Sequence, residues 1–464
     1  MPSAFHLDPE LIRRYDQDGP RYTSYPTAPH FHEQFGEADF RAFARQSNDA
    51  LIPSPLSLYL HIPFCFSPCF YCGCNRLITR DLSKGHRYLE RLFREIEMVS
   101  PLFERGREVL QVHLGGGTPN FLSTGQLGGL MGHLARQFYL TSCKDRDFSI
   151  ELDPRHVSGD DIARLSDAGF NRASLGVQDF DPEVQAAINR QQSVEETLGV
   201  IEACRDAGFR SVNVDLIYGL PRQSLGGFRK TLNTVIAARP DRLAVYGYAH
   251  LPQMFKAQRQ FDHDDLPKAE TRLALLASAV ELLESAGYRY IGLDHFALPG
   301  DDLSVAQDHG SLHRNFMGYT THAECDLVGL GVSAISHVYG SFSQNHRDLG
   351  SWQMAIDRGH LPVWRGLALG FDDELRGFVI QALMCQAGIQ FSTIERRFGI
   401  EFGSYFADEL VTLATLAEDG LLDVSEEAIT VTDRGRYLLR IIAMTFDRYR
   451  QTGSRPESPA SSAI

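Results

Sequence analysis

The sequence predicts an α/β fold, on two observations. From about residue 56, short apolar runs alternate with longer amphipathic ones, and nearly every apolar run ends in Gly, Pro, His, Gln or a carboxylate. Alternation at this spacing implies parallel βαβ units. In such folds ligands bind at the carboxyl ends of the strands. The strand-like runs are LSLYLHIPF, VLQVHLGGGTP, DFSIELDP, NRASLGVQDF, SVNVDLIYGLP and RLAVYGYAHLP. Between them lie helical patterns such as HRYLERLFREIEMV and VEETLGVIEACRDAGF. Six units are too few for a closed eight-unit barrel. They suit a partial, open barrel or a doubly wound sheet. One polar strand end could be ordinary turn chemistry. Five of them, beside a cysteine cluster, are expected to line one site.

Three regions lie outside this rhythm. Residues 1–50 form an arm containing GPRYTSYPTAPHF, rich in turn formers, aromatics and hydroxyls. Residues 51–360 hold the barrel with an extension. In the extension a further strand-like run, YRYIGLDHFAL, precedes a polar excursion through HRNFMGYTTHAECDLVGLGVSAIS. Residues 361–450 read as helices, a hairpin and a final helix, a mostly helical, winged-helix-like domain. Residues 451–464, QTGSRPESPASSAI, are expected to be a disordered tail.

Of 464 residues, 43% are hydrophobic and 22% charged, as in a soluble globular protein. No apolar run reaches the roughly 20 residues needed to cross a bilayer, and the start lacks an apolar signal core. No membrane association and a cytoplasmic location are expected. The net charge of −14 argues against a nucleic-acid partner. The winged-helix-like region shares this bias: nine Arg and no Lys stand against fourteen Asp or Glu, a balance of −5. A DNA reader needs a basic footprint, so this domain reads as a cap or lid.

Four of eight cysteines fall within CFSPCFYCGC, Cys65 to Cys74. Thiolates this close on one loop suit zinc or an iron–sulfur cluster. Structural zinc favours four ligands, often as two separated pairs, and no second pair stands at a useful distance. Three close cysteines suit a 4Fe–4S cluster with one iron left open, where a substrate can be chelated. Cys143, Cys204, Cys325 and Cys385 are scattered and read as free, mostly packing thiols.

C-x3-C-x2-C after the first strand, with Tyr71 before its last cysteine and GGGTP after the second strand, resembles the radical S-adenosylmethionine (SAM) superfamily. GPRYTSYPTA, YLHIPFC, CGCN, HLGGGTP, SIELDP, GVQDF, VDLIYGLP, YAHLP, HRNF and GVSAIS then occur in order. Together they resemble the oxygen-independent coproporphyrinogen III oxidase family, from about residue 10 to 450. The resemblance implies a partial (βα)6 TIM-like open barrel. It also implies an oxidoreductase of haem (porphyrin) biosynthesis that converts two propionates of coproporphyrinogen III to vinyl groups, each with loss of CO2. The C–H bond broken is unactivated, so a cofactor must supply the hard chemistry. The implied cofactors are a 4Fe–4S cluster and SAM, two SAM per protein, with cleavage to a 5′-deoxyadenosyl radical.

By resemblance, Cys65, Cys69 and Cys72 hold the cluster, and Cys74 matches a family cysteine that is not a ligand. Tyr59, Gly116, Glu151 and Ile335 match contacts to the SAM at the cluster. Tyr71, Gly117, Thr118, Gln178, Arg190, Asp215 and Ala249 match positions around a second SAM. Arg190 could grip its carboxylate and Asp215 its ammonium or ribose. Taken singly, several of these have ordinary readings: Thr118 and Gln178 could cap helices, and Arg190 could be a solvated helix residue. Asp215 is less ordinary, since a carboxylate in an apolar strand needs a partner. The four-carboxylate substrate calls for cations and aromatics, which Arg21, Tyr22, Tyr25, Phe31 and Phe316 offer. The arm is accordingly expected either to fold over the barrel mouth or to pack as a surface arm. Met317 stands where the family pattern has Gln, which removes an amide's hydrogen bonds there. His61 reads equally as a core histidine or as a neighbour of the cluster.

An external electron donor, an unidentified final acceptor and a monomer complete the expectations. Two other readings compete. A haem-binding chaperone of the same superfamily is expected to lack GPRYTSYPTA and a cysteine at position 74. A zinc-stapled winged-helix regulator conflicts with the acidic C-terminal region.

Overall fold

The structure, a computed structural model, describes residues 9–15 and 17–451. The expected disordered tail lies outside the described residues, apart from residue 451. The chain forms two compact units, each discontinuous in sequence. The barrel unit comprises Phe31–Arg272 and Glu324–Ala368. The second comprises Met1–His30, Leu273–Ala323 and Leu369–Ile464. Contiguous domains divided at 50 and 360 were expected. Instead the arm divides at His30, and residues 273–323 cluster with the C-terminal helices.

Besides the two-residue strand Tyr139–Leu140, the barrel unit's strands are β1 (Leu56–Ile62), β2 (Phe64–Cys65), β3 (Leu77–Ile78), β4 (Glu108–Gly116), β5 (Asp147–Leu152), β6 (Arg172–Gln178), β7 (Ser211–Tyr218), β8 (Arg242–Gly247), β9 (Asp326–Leu330), β10 (Ile335–Val338), β11 (Ser341–Asn345) and β12 (Val363–Ala368). Within this unit the main sheet runs β8-β7-β6-β5-β4-β1-β9-β10-β11-β12. From β8 to β9 every neighbour is parallel, and β9 to β12 continue antiparallel. The six predicted strands are therefore present, as an open parallel path. The polar excursion contains strands of the sheet. Its DLVGL is the fully buried strand β9, which pairs with β1. That partner lies some 270 residues earlier, and no local pattern announces such a pairing.

The helices start where the sequence caps them. Ser123, Ser158 and Ser193 each accept from the backbone of the third residue on, and Gln126, Asp161 and Glu196 answer as capping boxes. Each cap is worth about 1 kcal/mol. The helix Ser83–Val99 buries Tyr88, Leu89, Leu92, Ile96 and Val99 against the sheet. Glu95 is buried on that same face, at 1% exposure. A buried carboxylate needs full hydrogen bonding, and Glu95 has it. Asn345 Nδ2 donates at 2.7 Å, the Gly331 amide at 2.8 Å and Trp352 Nε1 at 3.1 Å. The neighbouring Tyr88 stacks on Trp352 with centroids 4.7 Å apart. Its hydroxyl donates to His61 O at 2.6 Å and accepts from the Val332 amide at 3.1 Å. The turn from β9 to β10 is thereby tied to the end of β1.

The second unit packs the helix Phe371–Gln386 against Leu439–Met444, with a three-stranded antiparallel sheet of Gly388–Gln390, Ala428–Val431 and Leu422–Val424. This agrees with the winged-helix-like pattern. Phe402, Phe406 and Phe446 are fully buried in its core. Arg376 crosses that core to Glu409 Oε1 at 2.7 Å and Phe446 O at 3.1 Å. Among the other cysteines, Cys204 and Cys385 are buried packing thiols, whereas Cys143 is exposed. Among the described residues, no helix is long and apolar enough to cross a membrane.

Burial pushes Glu95 up to about 8, against the opposing pull of its three donors. Its pKa is raised in the fold, so its contribution to stability is complete below the ordinary carboxylate range and is lost as pH rises through about 8. Glu95→Ala strands three buried donors and should cost about 3–5 kcal/mol. Glu95→Gln should cost only about 1–2 kcal/mol and abolish this pH dependence. Urea unfolding of both variants between pH 5 and 9 measures these effects.

Candidate active site

The strand ends of the barrel unit converge on the cysteine loop. β1 leads through Pro63 into β2, which ends on Cys65, and β3 returns beside it in parallel register, Cys65 opposite Ile78. The loop between them is held by its backbone. Arg76 donates Nη2 to Cys69 O at 2.9 Å and Nη1 to Cys72 O at 3.1 Å. The Phe70 amide reaches Ile188 O at 3.0 Å, and Asn189 Nδ2 reaches Pro68 O at 2.8 Å. His61 closes the far end. Its Nε2 donates to Asn75 O at 2.9 Å, which leaves Nδ1 to accept from Tyr59 OH at 3.0 Å. The Asn75 carbonyl requires a proton on Nε2, and burial, which lowers the His61 pKa, favours the neutral ring with Nδ1 as acceptor. His61 is thus both a core histidine and the anchor of the cysteine loop.

The glycine run packs against this loop. The Gly117 amide donates to Ile62 O at 2.8 Å. A Cβ on Gly117 would lie 2.7 Å from Phe64 O, and one on Gly116, at φ +114°, would lie 2.5 Å from the His61 ring. Only glycine fits at either position.

The three predicted ligands lie close enough for Cys69 and Cys72 to affect the ionisation of Cys65. Burial pushes the Cys65 thiol up to about 11, and Thr118 Oγ1 lies 3.4 Å from its sulfur. Cys69 Sγ lies 3.6 Å from Arg190 Nη1. Cys72 Sγ accepts from the Cys74 amide at 3.4 Å. A hydrogen bond from the Cys74 side chain, with help from Arg76 and Arg190, draws the Cys72 thiol below its ordinary value. Three soft sulfur donors, with N–H groups aimed at two of them, fit an iron–sulfur cluster. Cys74 is exposed and serves Cys72 as a donor.

Two carboxylates on strands β5 and β7 stand in opposite electrostatic settings. Glu151 at the end of β5 accepts from the Gly116 amide at 3.1 Å and lies 3.3 Å from His113 Nε2. His113 in turn lies 2.7 Å from Ser149 Oγ through Nδ1 and stacks on Tyr59. Burial would raise Glu151, but His113 and the Gly116 amide hold it below its ordinary value. With its side chain 42% exposed, it stays charged with room for a further donor. Ile335 joins this group indirectly. Gly329, the register partner of Tyr59, passes so close to Ile335 that a Cβ would lie 2.4 Å from Ile335 O.

Asp215 on β7 is the opposite case. It accepts from Asn213 Nδ2 at 2.8 Å and Ser174 Oγ at 3.2 Å. Burial and the nearby Glu151 charge nevertheless push it up to about 7. Asn213 Oδ1 beside it is buried without a partner.

The remaining residues expected around a second SAM border the same loop. Arg190 donates to Gly176 O at 2.5 Å and reaches Asp153 at 3.4 Å with both terminal nitrogens, while its buried Nε has no partner. Gln178, at φ +68°, crowds the same side of Gly176. Gln258 Nε2 bridges Tyr71 O at 3.0 Å and Ala249 O at 3.2 Å. Orphaned buried polar atoms at Arg190 and Asn213 suit a ligand with its own donors and acceptors, as SAM has. Arg190 is more committed than a free carboxylate grip would be, because Asp153 and Gly176 already hold it.

The substrate candidates lie in the second unit, except Phe31, which stacks on Phe342 in the barrel unit. Arg21 pairs with Asp294. Tyr22 is 1% exposed and donates to Asp447 Oδ2 at 2.9 Å. Tyr25 is buried and accepts from the Arg448 amide at 3.1 Å. Phe316 and Met317 form the turn between His313–Asn315 and Gly318–Thr320. Sequence reasoning missed Arg76, His113, Asp153, Asn213 and Gln258. His113 carries the signal that singled out Asp215, a polar residue inside an apolar strand. Arg76 carries none, since an arginine after a loop is commonplace.

If Asp215 grips a cationic part of SAM, only its ionised form binds. Affinity should then rise about tenfold from pH 6 to 8, following ionisation near 7, and Asp215→Asn should flatten the profile. Calorimetric titration with SAM at three pH values checks this; a flat wild-type profile contradicts it.

Comparison with known proteins agrees with this geometry. Residues 59–235 match the radical SAM superfamily model, and residues 372–438 match the HemN C-terminal domain. The oxygen-independent coproporphyrinogen III oxidase of Pseudomonas aeruginosa is 51% identical over 449 residues, covering 97% of each chain. That of Escherichia coli is 46% identical, covering 97% of this chain and 96% of its own. The solved structure of coproporphyrinogen III oxidase from Escherichia coli, described as a radical SAM enzyme, superposes with a TM-score of 0.91. It is 45% identical, covering 96% of this chain and all of that one. The superfamily motif, the C-terminal domain and near-complete coverage agree, and the chain belongs to the oxygen-independent coproporphyrinogen III oxidase family.

Proposed function

We propose that this protein oxidatively decarboxylates two propionate side chains of coproporphyrinogen III to vinyl groups without oxygen, giving protoporphyrinogen IX. The carrying observation is the thiol loop clamped against the glycine run, within a chain homologous over nearly its full length to relatives named for this substrate. The same homology favours the enzyme over the haem-binding chaperone.

When bound, a 4Fe–4S cluster and SAM supply one-electron chemistry able to break an unactivated C–H bond. This chain's residues do the rest. Cys65, Cys69 and Cys72 hold the cluster. Glu151, kept charged by His113 and Gly116, receives a donor group of SAM, while Tyr59 and Ile335 border the same ligand. We assign a second SAM to Tyr71, Gly117, Thr118, Gln178, Arg190, Asp215 and Ala249. Arg190 Nε offers that ligand an unpaired donor, and Asp215 switches between neutral and charged near neutrality. Among these groups Thr118, Gln178 and Arg190 are buried, which limits water around their contacts.

Arg21 and Phe316 are our candidates for substrate contact, with Tyr22 and Tyr25 as the packing that fixes the arm segment. The catalytic part we favour is the barrel unit, Phe31–Arg272 with Glu324–Ala368. We further propose a cytoplasmic monomer that draws on an external electron donor and a separate final acceptor.

The test is anaerobic reconstitution with iron and sulfide, then addition of dithionite, SAM and coproporphyrinogen III. CO2, 5′-deoxyadenosine and protoporphyrinogen IX should form together. An iron-replete sample that yields no CO2 and no 5′-deoxyadenosine overturns the proposal.

A further inference from the structure

The reaction proposed above needs an electron from outside the protein, and the inference here rests on that reading. The surface nearest the thiol loop is unusual for this chain. β3 pairs with β2 so that Ile78 lies opposite the ligand Cys65, and the Thr79 amide donates to Cys65 O at 3.0 Å. Adjacent strands lie about 4.8 Å apart, so this ribbon runs directly beside the Cys65 backbone. Its side chains are apolar yet exposed: Leu77 at 39%, Ile78 at 43% and, just beyond, Leu82 at 59%.

The ribbon is also basic in an acidic protein. Of the four cations in residues 76–87, Arg76 is committed to the Cys69 and Cys72 carbonyls and Arg87 pairs with Asp81 at 3.7 Å, which leaves Arg80 and Lys84, in a chain whose net charge is −14. Arg80 and Lys84 are exposed. Arg80 and Leu82 also line a groove of about 560 Å³ that continues to Phe66 and Ser67 on the thiol loop itself, with Arg155 and Glu196 opposite. A small apolar centre with a basic rim is the anatomy of a transient redox encounter, where charge steers arrival and a short apolar contact permits fast release.

We propose that the β2–β3 ribbon is the electron-input surface of this protein and docks a small, acidic one-electron carrier protein. The occupant follows from charge complementarity and from the direct backbone pairing between the exposed strand and a cluster ligand. In the transfer the carrier loses one electron and the cluster gains it, with no bond formed or broken. Nucleic acid and anionic membrane are the other surfaces that basic residues attract. The exposed apolar side chains and the position beside Cys65 favour the carrier.

The experiment mixes cluster-loaded protein with reduced flavodoxin, an acidic flavin carrier. Bleaching of the cluster absorbance is followed by stopped flow, with dithionite as a reductant that needs no docking. Arg80→Glu/Lys84→Glu should slow reduction by flavodoxin about tenfold and flatten its salt dependence. Ile78→Ser should slow it without changing that dependence. Reduction by dithionite should be the same in all variants, and Arg396→Glu/Arg397→Glu, distant in sequence and exposed, should leave both rates unchanged. Unaltered flavodoxin rates in the ribbon variants overturn the proposal. Equal slowing in both charge-reversed pairs does so too, as does binding of the ribbon to anionic vesicles with no effect on flavodoxin. Failure of dithionite to reduce the wild-type protein defeats the underlying function instead, and with it the need for such a surface.

Discussion

The structure depends on one cation holding two carbonyls. Arg76 spans Cys69 O and Cys72 O with its two terminal nitrogens, and this fixes the curvature of a loop that has little secondary structure of its own. A loop of thiols without such a clamp would lose conformational entropy each time it gathered three ligands. With the clamp, much of that ordering is complete before any metal arrives. The positive charge also favours the thiolate form that metal binding requires. His61 and Gly117 complete the frame from the β1 side, one through Asn75 O and the other through Ile62 O.

Around this frame the protein keeps two carboxyl groups in different states. Glu151 is charged because a histidine and a backbone amide favour its anion. Asp215 lies near its midpoint because its two neutral donors do not offset burial. Pairs of titratable groups driven apart by environment mark functional sites. Both carboxyls lie on strands of one parallel sheet, whose register carries Tyr59, His113 and Ser149 in a row. Precision at the site is thus inherited from a rigid element rather than from loops.

Much of this was legible in the sequence. Buried parallel strands are nearly continuous apolar runs, so all six were found, and their polar ends pointed to one face. The cysteine spacing marked a thiol-rich loop, the resemblance proposed which of its thiols are ligands, and the glycine run marked a backbone approach that side chains would block. What was not legible is non-local. Strand DLVGL declares its burial but not its partner, and nothing around Arg76 says that its guanidinium turns back onto two carbonyls. Glu95 reads as a surface residue of an amphipathic helix until Gly331, Asn345 and Trp352, far along the chain, are brought to it. Tyr22 and Tyr25 sit in a motif that suggests a ligand, and the structure gives them to the core of the second unit.

The central claim is that three thiols, and not the fourth beside them, hold the cluster. The direct measurement is iron and acid-labile sulfide content, with the ultraviolet–visible spectrum, after identical anaerobic reconstitution of Cys72→Ala and Cys74→Ala. The account predicts that Cys72→Ala loses the cluster and that Cys74→Ala, missing only a donor to the Cys72 sulfur, retains it. A Cys74→Ala protein without cluster, or a Cys72→Ala protein with it, would contradict the assignment.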